Sequence, residues 1–89
     1  MEISWGKDKN DVLKERYGLG FETVVAALDE GKLLFNRQHP NRDRYPDQRQ
    51  TVIEIDGYAW VVPYIETNEG IFLKTMFPSR RATHEFMGQ

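Results

Sequence analysis

The pair Asp56-Gly57 constrains this chain more than any other two residues. It stands between two alternating apolar runs, "RQTVIEI" before and "YAWVVPYIE" after, and a two-residue turn of this composition is the strongest short signal for a β-hairpin. Such a turn sets the register of both strands. Ile55 is expected opposite Tyr58, Ile53 opposite Trp60, Thr51 opposite Val62 and Arg49 opposite Tyr64, all on one sheet face, with Tyr64 lying over Arg49. Ile53, Ile55, Trp60 and Val62 then form an apolar face that needs helices to cover it, while Glu54 and Asp56 look outward. Pro63 has no N–H for a ladder, so regular pairing is expected to meet an edge, a bulge or its end there. "TNEG" turns the chain into a third strand, "IFLKTMF", which completes an antiparallel meander.

The first third supplies the cover. "MEISW" reads as a short opening strand, and "KDKNDVLKERYG" sets Lys9, Val12, Leu13, Arg16 and Tyr17 along one helical face, with Gly18 as the stop. "FETVVAALDEG" repeats the pattern through Phe21, Val24, Val25 and Leu28, ending at Gly31. "KLLFNRQ" is a strand, and "HPNRDRYPD" is a polar, basic loop. After Pro78, "SRRATHEF" is a short terminal helix with Ser79 as its N-cap. The expected class is α+β: a small antiparallel sheet, made of the three-stranded meander plus one or two N-terminal strands, packed against two N-terminal helices, with a short C-terminal helix.

Eighty-nine residues make a single domain, 1–89, and the 39% hydrophobic fraction suits a folded unit rather than a disordered one. There is no cysteine, hence no disulfide framework and no thiolate metal site. No apolar run approaches the roughly 18 residues of a membrane span, and the N-terminus lacks a signal peptide's apolar stretch, so a cytoplasmic protein without a membrane partner is expected. The sequence holds no P-loop, no GxGxxG, no HExxH and no GxSxG, and two histidines 45 residues apart are a poor basis for a metal site. No metal or other cofactor is expected.

The net charge is only -2, yet the cations are unevenly placed. Arg37, Arg42, Arg44 and Arg49 lie near His39, and Arg80, Arg81 and His84 lie near the end. A guanidinium matches phosphate oxygens with a planar fork, and Arg80 and Arg81 open a helix whose free N–H groups also favour an anion. The same two arginines would equally solvate a short helix or pair with Glu85, Glu2 or Glu66, and the residues alone leave both readings open. His39 and His84 read more simply as solvated residues than as acids or bases. Lys74 joins Arg49 only if the turn from Thr67 to Gly70 has the right length.

The order of elements and several residues resemble the BrnT family of toxins from bacterial type II toxin-antitoxin systems, compact relatives of RelE-like ribonucleases. The similarity runs without a gap through Trp5, Lys9, "Arg16-Tyr17-Gly18" and "Phe21-Glu22", includes Arg49 at the start of the central strand, and closes on "Pro78-Ser79-Arg80-Arg81-Ala82-Thr83". Gly6, Leu13, Tyr17 and Thr75 stand where the family has an acidic residue, an Asn, a His and an Arg, so the chain resembles a divergent branch. The resemblance implies a RelE-like fold and metal-independent cleavage of RNA by attack of a 2′-hydroxyl on the adjacent phosphate, inhibiting translation. That chemistry calls for cations around the phosphoryl oxygens and for proton transfer. Arg49, Arg80 and Arg81 are the expected stabilisers, Lys9, Arg16 and Lys74 supporting cations, and Tyr17, His39 and Tyr64 the candidates for proton transfer or RNA contact. It also implies a cognate antitoxin of the ribbon-helix-helix type. Two other roles stay open: docking on a large target such as gyrase, as ParE-like relatives do, and a non-catalytic module that only binds antitoxin.

Overall fold

The computed structural model describes residues 2–88. In chain order the elements are β1 (Glu2–Trp5), α1 (Lys7–Tyr17), α2 (Phe21–Asp29), β2 (Leu33–Gln38), β3 (Gln48–Ile55), β4 (Tyr58–Glu66), β5 (Gly70–Leu73), β6 (Phe77–Pro78) and α3 (Arg80–Met87). The opening strand expected over residues 1–5 is seen from Glu2; Met1 lies outside the described residues. The sheet runs β1-β5-β4-β3-β2, with β6 also paired to β4. The class is α+β, as expected.

Asp56 and Gly57 both take positive φ, 51° and 79°, the backbone a two-residue hairpin turn requires. The β3–β4 register follows from it, with Ile55 opposite Tyr58, Ile53 opposite Trp60 and Arg49 opposite Tyr64. Two features depart from a plain antiparallel meander. β1 runs parallel to β5, Ile3 pairing with Ile71 and Trp5 with Leu73, because no short turn joins these strands to dictate their direction. The third strand is also broken into β5 and β6. Pro63 is the cause: its carbonyl accepts from the Lys74 N–H at 2.9 Å, so the side of β4 that faces β5 is the side on which the proline has no donor. The chain leaves the ladder over residues 74–76 and turns Met76 into the core, where it is 1% exposed.

Helices α1 and α2 cover one sheet face. Leu13, Phe21, Val24 and Ala27 pack on Ile53, Ile55, Trp60, Val62, Tyr64, Leu73 and Met76. The buried stripe of α1 differs from the expected one, since Val12 is exposed and Asn10 is buried. Asn10 lies inside because it caps α2 from the neighbouring helix. Its Oδ1 accepts from the Phe21 N–H at 2.7 Å, and its Nδ2 donates to the Glu22 carboxylate at 3.0 and 3.1 Å. Gly20 leaves room for that approach, as a Cβ there would run into Asn10 Oδ1. The Asn10 amide, the backbone of Glu22 itself and the Lys14 ammonium together hold the Glu22 carboxyl below its ordinary value.

The opposite face carries a second, smaller core of Val52, Ala59, Val61 and Ala82, with Leu34, Phe86 and Met87 packed against it. Here α3 docks. Ser79 caps it as expected, Oγ accepting from the Ala82 N–H at 3.0 Å. Thr83 ties it to the sheet: its hydroxyl accepts from the buried Ala59 N–H and donates to the Ser79 carbonyl, both at 2.8 Å. Among the described residues no helix is long and apolar enough to cross a membrane.

Candidate anion-binding groove

Strand alternation sorts the expected site residues onto two faces. Arg49 and Tyr64 are cross-strand partners on the helix-packed face, while Gln50 and Pro63 pair on the α3 face. Arg49 reaches Asn36 Oδ1 through Nη2 at 2.7 Å and Nε at 3.2 Å, and Asn36 Nδ2 donates to the Tyr64 hydroxyl at 2.8 Å. That chain of bonds steadies the start of β3 and leaves Tyr64 7% exposed. Tyr17 packs edge-on against Trp60, ring centroids 5.2 Å apart, as part of the wall between helix and sheet. Neither tyrosine reaches the hollow described next. The residues Trp5, Tyr17, Gly18, Phe21 and Glu22 thus serve the fold: Trp5 lies against Phe21 at 5.7 Å, and Glu22 is held by Asn10 and Lys14.

On the α3 face, beyond the patch that α3 covers, lies a hollow of about 590 Å³. Lys9 enters it from α1, His39 and Tyr45 from the loop after β2, Gln48 and Gln50 from β3, Pro63 from β4, and Lys74, Thr75 and Phe77 from the break between β5 and β6. No carboxylate lines it. Lys74 therefore does not join Arg49; its Nζ sits 5.7 Å from the Phe72 ring, whose residue pairs with Ile65 on this same face. The break at Pro63 is what brings Lys74 to Lys9.

The basic loop is a built structure. Asn41 Oδ1 accepts from the Arg44 N–H at 3.2 Å, and the Tyr45 N–H donates to the Asn41 carbonyl at 3.0 Å, an Asx-type turn. The His39 ring lies 4.5 Å from the Tyr45 ring, and the Arg44 guanidinium lies over Tyr45 at 5.5 Å. His39 Nδ1 accepts from the Asn41 N–H at 3.0 Å. With that lone pair engaged, a neutral His39 carries its proton on Nε2 and is a hydrogen-bond donor there.

Two further hollows continue the groove. One is bounded by Arg37, Pro40, Ser79, Arg81 and Glu85. The other is bounded by Arg44, Tyr45, Gln48 and Arg49, with Asp47 and Glu66 also lining it. Among the described residues the ion pairs are Lys7 with Asp11 and Lys14 with Glu22, both in the first third of the chain. Among the described residues, the groove cations Lys9, Arg37, Lys74 and Arg81 have no carboxylate partner, and Arg80 and Arg81 form none of the pairs with Glu85, Glu2 or Glu66 that the sequence allowed. Arg80 and Arg16 are exposed and line none of these hollows. Among the described residues no group of His, Cys, Asp and Glu is arranged to hold a metal ion.

The sequence places Arg37 in the arginine-bearing region without giving it a role, and it does not point to Tyr45 or Gln50. The loop is legible in the sequence, but the bulge at Leu34, which shifts how β2 meets β3, leaves no readable signal. No protein family, curated protein or solved structure significantly matches this chain.

Proposed function

We propose that this protein is a toxin of the BrnT and RelE-like kind that cleaves RNA without a metal and is neutralised by a cognate ribbon-helix-helix antitoxin. The observation that carries the reading is the central hollow, where Lys9, His39 and Lys74 converge from a helix, a loop and a strand break with no carboxylate among them. Unpaired cations held apart from acids attract phosphate and stabilise charge that develops on its oxygens.

In the reaction the 2′-oxygen forms a bond to phosphorus, the bond from phosphorus to the 5′-oxygen breaks, and the products are a 2′,3′-cyclic phosphate and a 5′-hydroxyl. One proton leaves the 2′-hydroxyl and one reaches the departing 5′-oxygen. Lys9 and Lys74 are assigned to the phosphoryl oxygens. His39 donates its Nε2–H to the same group, and relaying a proton would require giving up the bond from Asn41. Arg49 and Arg81 line the flanking hollows and are assigned to guide the strand in.

The test is purified protein and RNA in EDTA, with fragment ends analysed. Cleavage to cyclic-phosphate ends is expected, falling on the order of 10²-fold for Lys74→Ala. His39→Gln, which can retain an N–H donor, is expected to cleave better than His39→Ala. Intact RNA together with no growth defect on expression would refute the reading. A second reading, docking on a large protein target, draws on the exposed Leu33 and Phe35 along the edge strand β2. Growth arrest with intact RNA and DNA-damage signalling would favour it.

A further inference from the structure

Arg37 projects from β2 on the α3 face, and its Nε donates to Oε1 of its cross-strand partner Gln50 at 2.9 Å. Gln50 is 5% exposed, so the guanidinium is pinned by a buried acceptor. That bond engages Nε and leaves the fork of the two terminal nitrogens without a partner among the described residues. Arg81 lines the same hollow from α3, and Glu85, one turn on and also lining it, forms no ion pair with Arg81. Two arginines facing one hollow, one of them held in place by a buried amide, form a preorganised clamp for an anion with several oxygens.

We infer that Arg37 and Arg81 form a second phosphate site, and that the ligand is a single RNA strand lying across the sheet from Lys74 to Arg37. This rests on the reading of the central hollow as the place where RNA is cleaved. The two sites are contiguous, because Gln50 lines the central hollow while holding Arg37. They are also too far apart for one phosphate: β5 and β2 are separated by three strand spacings, about 14 Å at roughly 4.8 Å each. A chain with phosphates at intervals bridges that span, and a mononucleotide does not. At the central hollow, the exposed Phe77 ring offers a stacking surface that a base can use only when unpaired.

The experiment is fluorescence anisotropy with labelled, uncleavable 2′-O-methyl oligouridylates of two and eight nucleotides and an RNA duplex of eight base pairs, over a series of salt concentrations. The eight-nucleotide strand is expected to bind more tightly than both the dinucleotide and the duplex. Arg37→Gln and Arg81→Gln are each expected to weaken it about tenfold and to lower the slope of log affinity against log salt by about 0.7, the loss of one phosphate contact on a single strand. Gln50→Leu, which frees Arg37 without removing it, is expected to weaken binding with a smaller change in slope. Dinucleotide affinity should not change in Arg37→Gln or Arg81→Gln. Arg81 stands on an exposed helix position, so its variant keeps the test sound if Arg37→Gln unfolds. Unaltered slope and affinity for the eight-nucleotide strand in Arg81→Gln, or equal binding of the duplex, would overturn the second site while leaving the central one. Failure of every oligonucleotide to bind the unaltered protein would overturn both.

Discussion

On the helix-packed side of the sheet, Asn10 satisfies the Glu22 carboxylate, and Asn36 separately joins Arg49 to the Tyr64 hydroxyl. Around the hollows of the α3 face, Lys9, Arg37, Lys74 and Arg81 form no ion pair among the described residues, although Glu85 lines the hollow of Arg37 and Arg81. Both faces belong to the same few strands, so the difference lies in what covers them. Two helices and eleven buried core residues close the first face, whereas one eight-residue helix closes only part of the second. A cation on a face that is closed must be partnered or excluded, and a cation on an open face is solvated and available.

The comparison makes the two faces separable by mutation. Phe21→Ala should have the largest effect, removing a ring that is 0% exposed and lowering stability by about 3–5 kcal/mol in chemical denaturation. The folded fraction should still bind RNA with unaltered salt dependence, and a changed slope would mean the faces are coupled. Thr83→Val comes next: it keeps the shape but leaves the buried Ala59 N–H without its acceptor, for a loss of about 1–3 kcal/mol. Because that hydroxyl anchors α3, the variant should also loosen the Arg37–Arg81 clamp and so lower affinity for the eight-nucleotide strand.

A smaller effect is expected from acid. The Glu22 carboxyl is held below its ordinary value, so its contribution is fully present above the unfolded-state value near 4.5 and is lost as pH falls through the lower folded-state value. Glu22→Gln should flatten the stability profile in that acid range, and an unaltered profile would show that the bond from Asn10 does not depend on the charge. The smallest change in stability should come from Lys9→Ala with Lys74→Ala, within about 0.5 kcal/mol by thermal melting. The same variant should lower the salt slope of RNA binding by about 1.4, at roughly 0.7 for each phosphate contact.

Much of the architecture is legible in the sequence. The turn at Asp56 and Gly57, the pairing of Arg49 with Tyr64, the stops at Gly18 and Gly31 and the cap at Ser79 are all local consequences of backbone preference and period-2 alternation. Asn10 was not readable, because a polar residue mid-helix gives no hint that a glycine ten residues later will let it cap the next helix.

The candidate site divides along the same line. Residue identity by itself determined that arginines and lysines without cysteine or a metal motif would offer anion chemistry, and alternation determined which neighbours share a strand face. Tertiary structure alone decided that Lys9, His39 and Lys74 meet, that Arg37 is pinned by Gln50, and that Tyr17 and Tyr64 belong to the core. The physical reason is that turns and alternation act over a few residues, whereas the break opposite Pro63, the parallel docking of β1 and the placement of α3 arise from contacts between segments far apart in the chain.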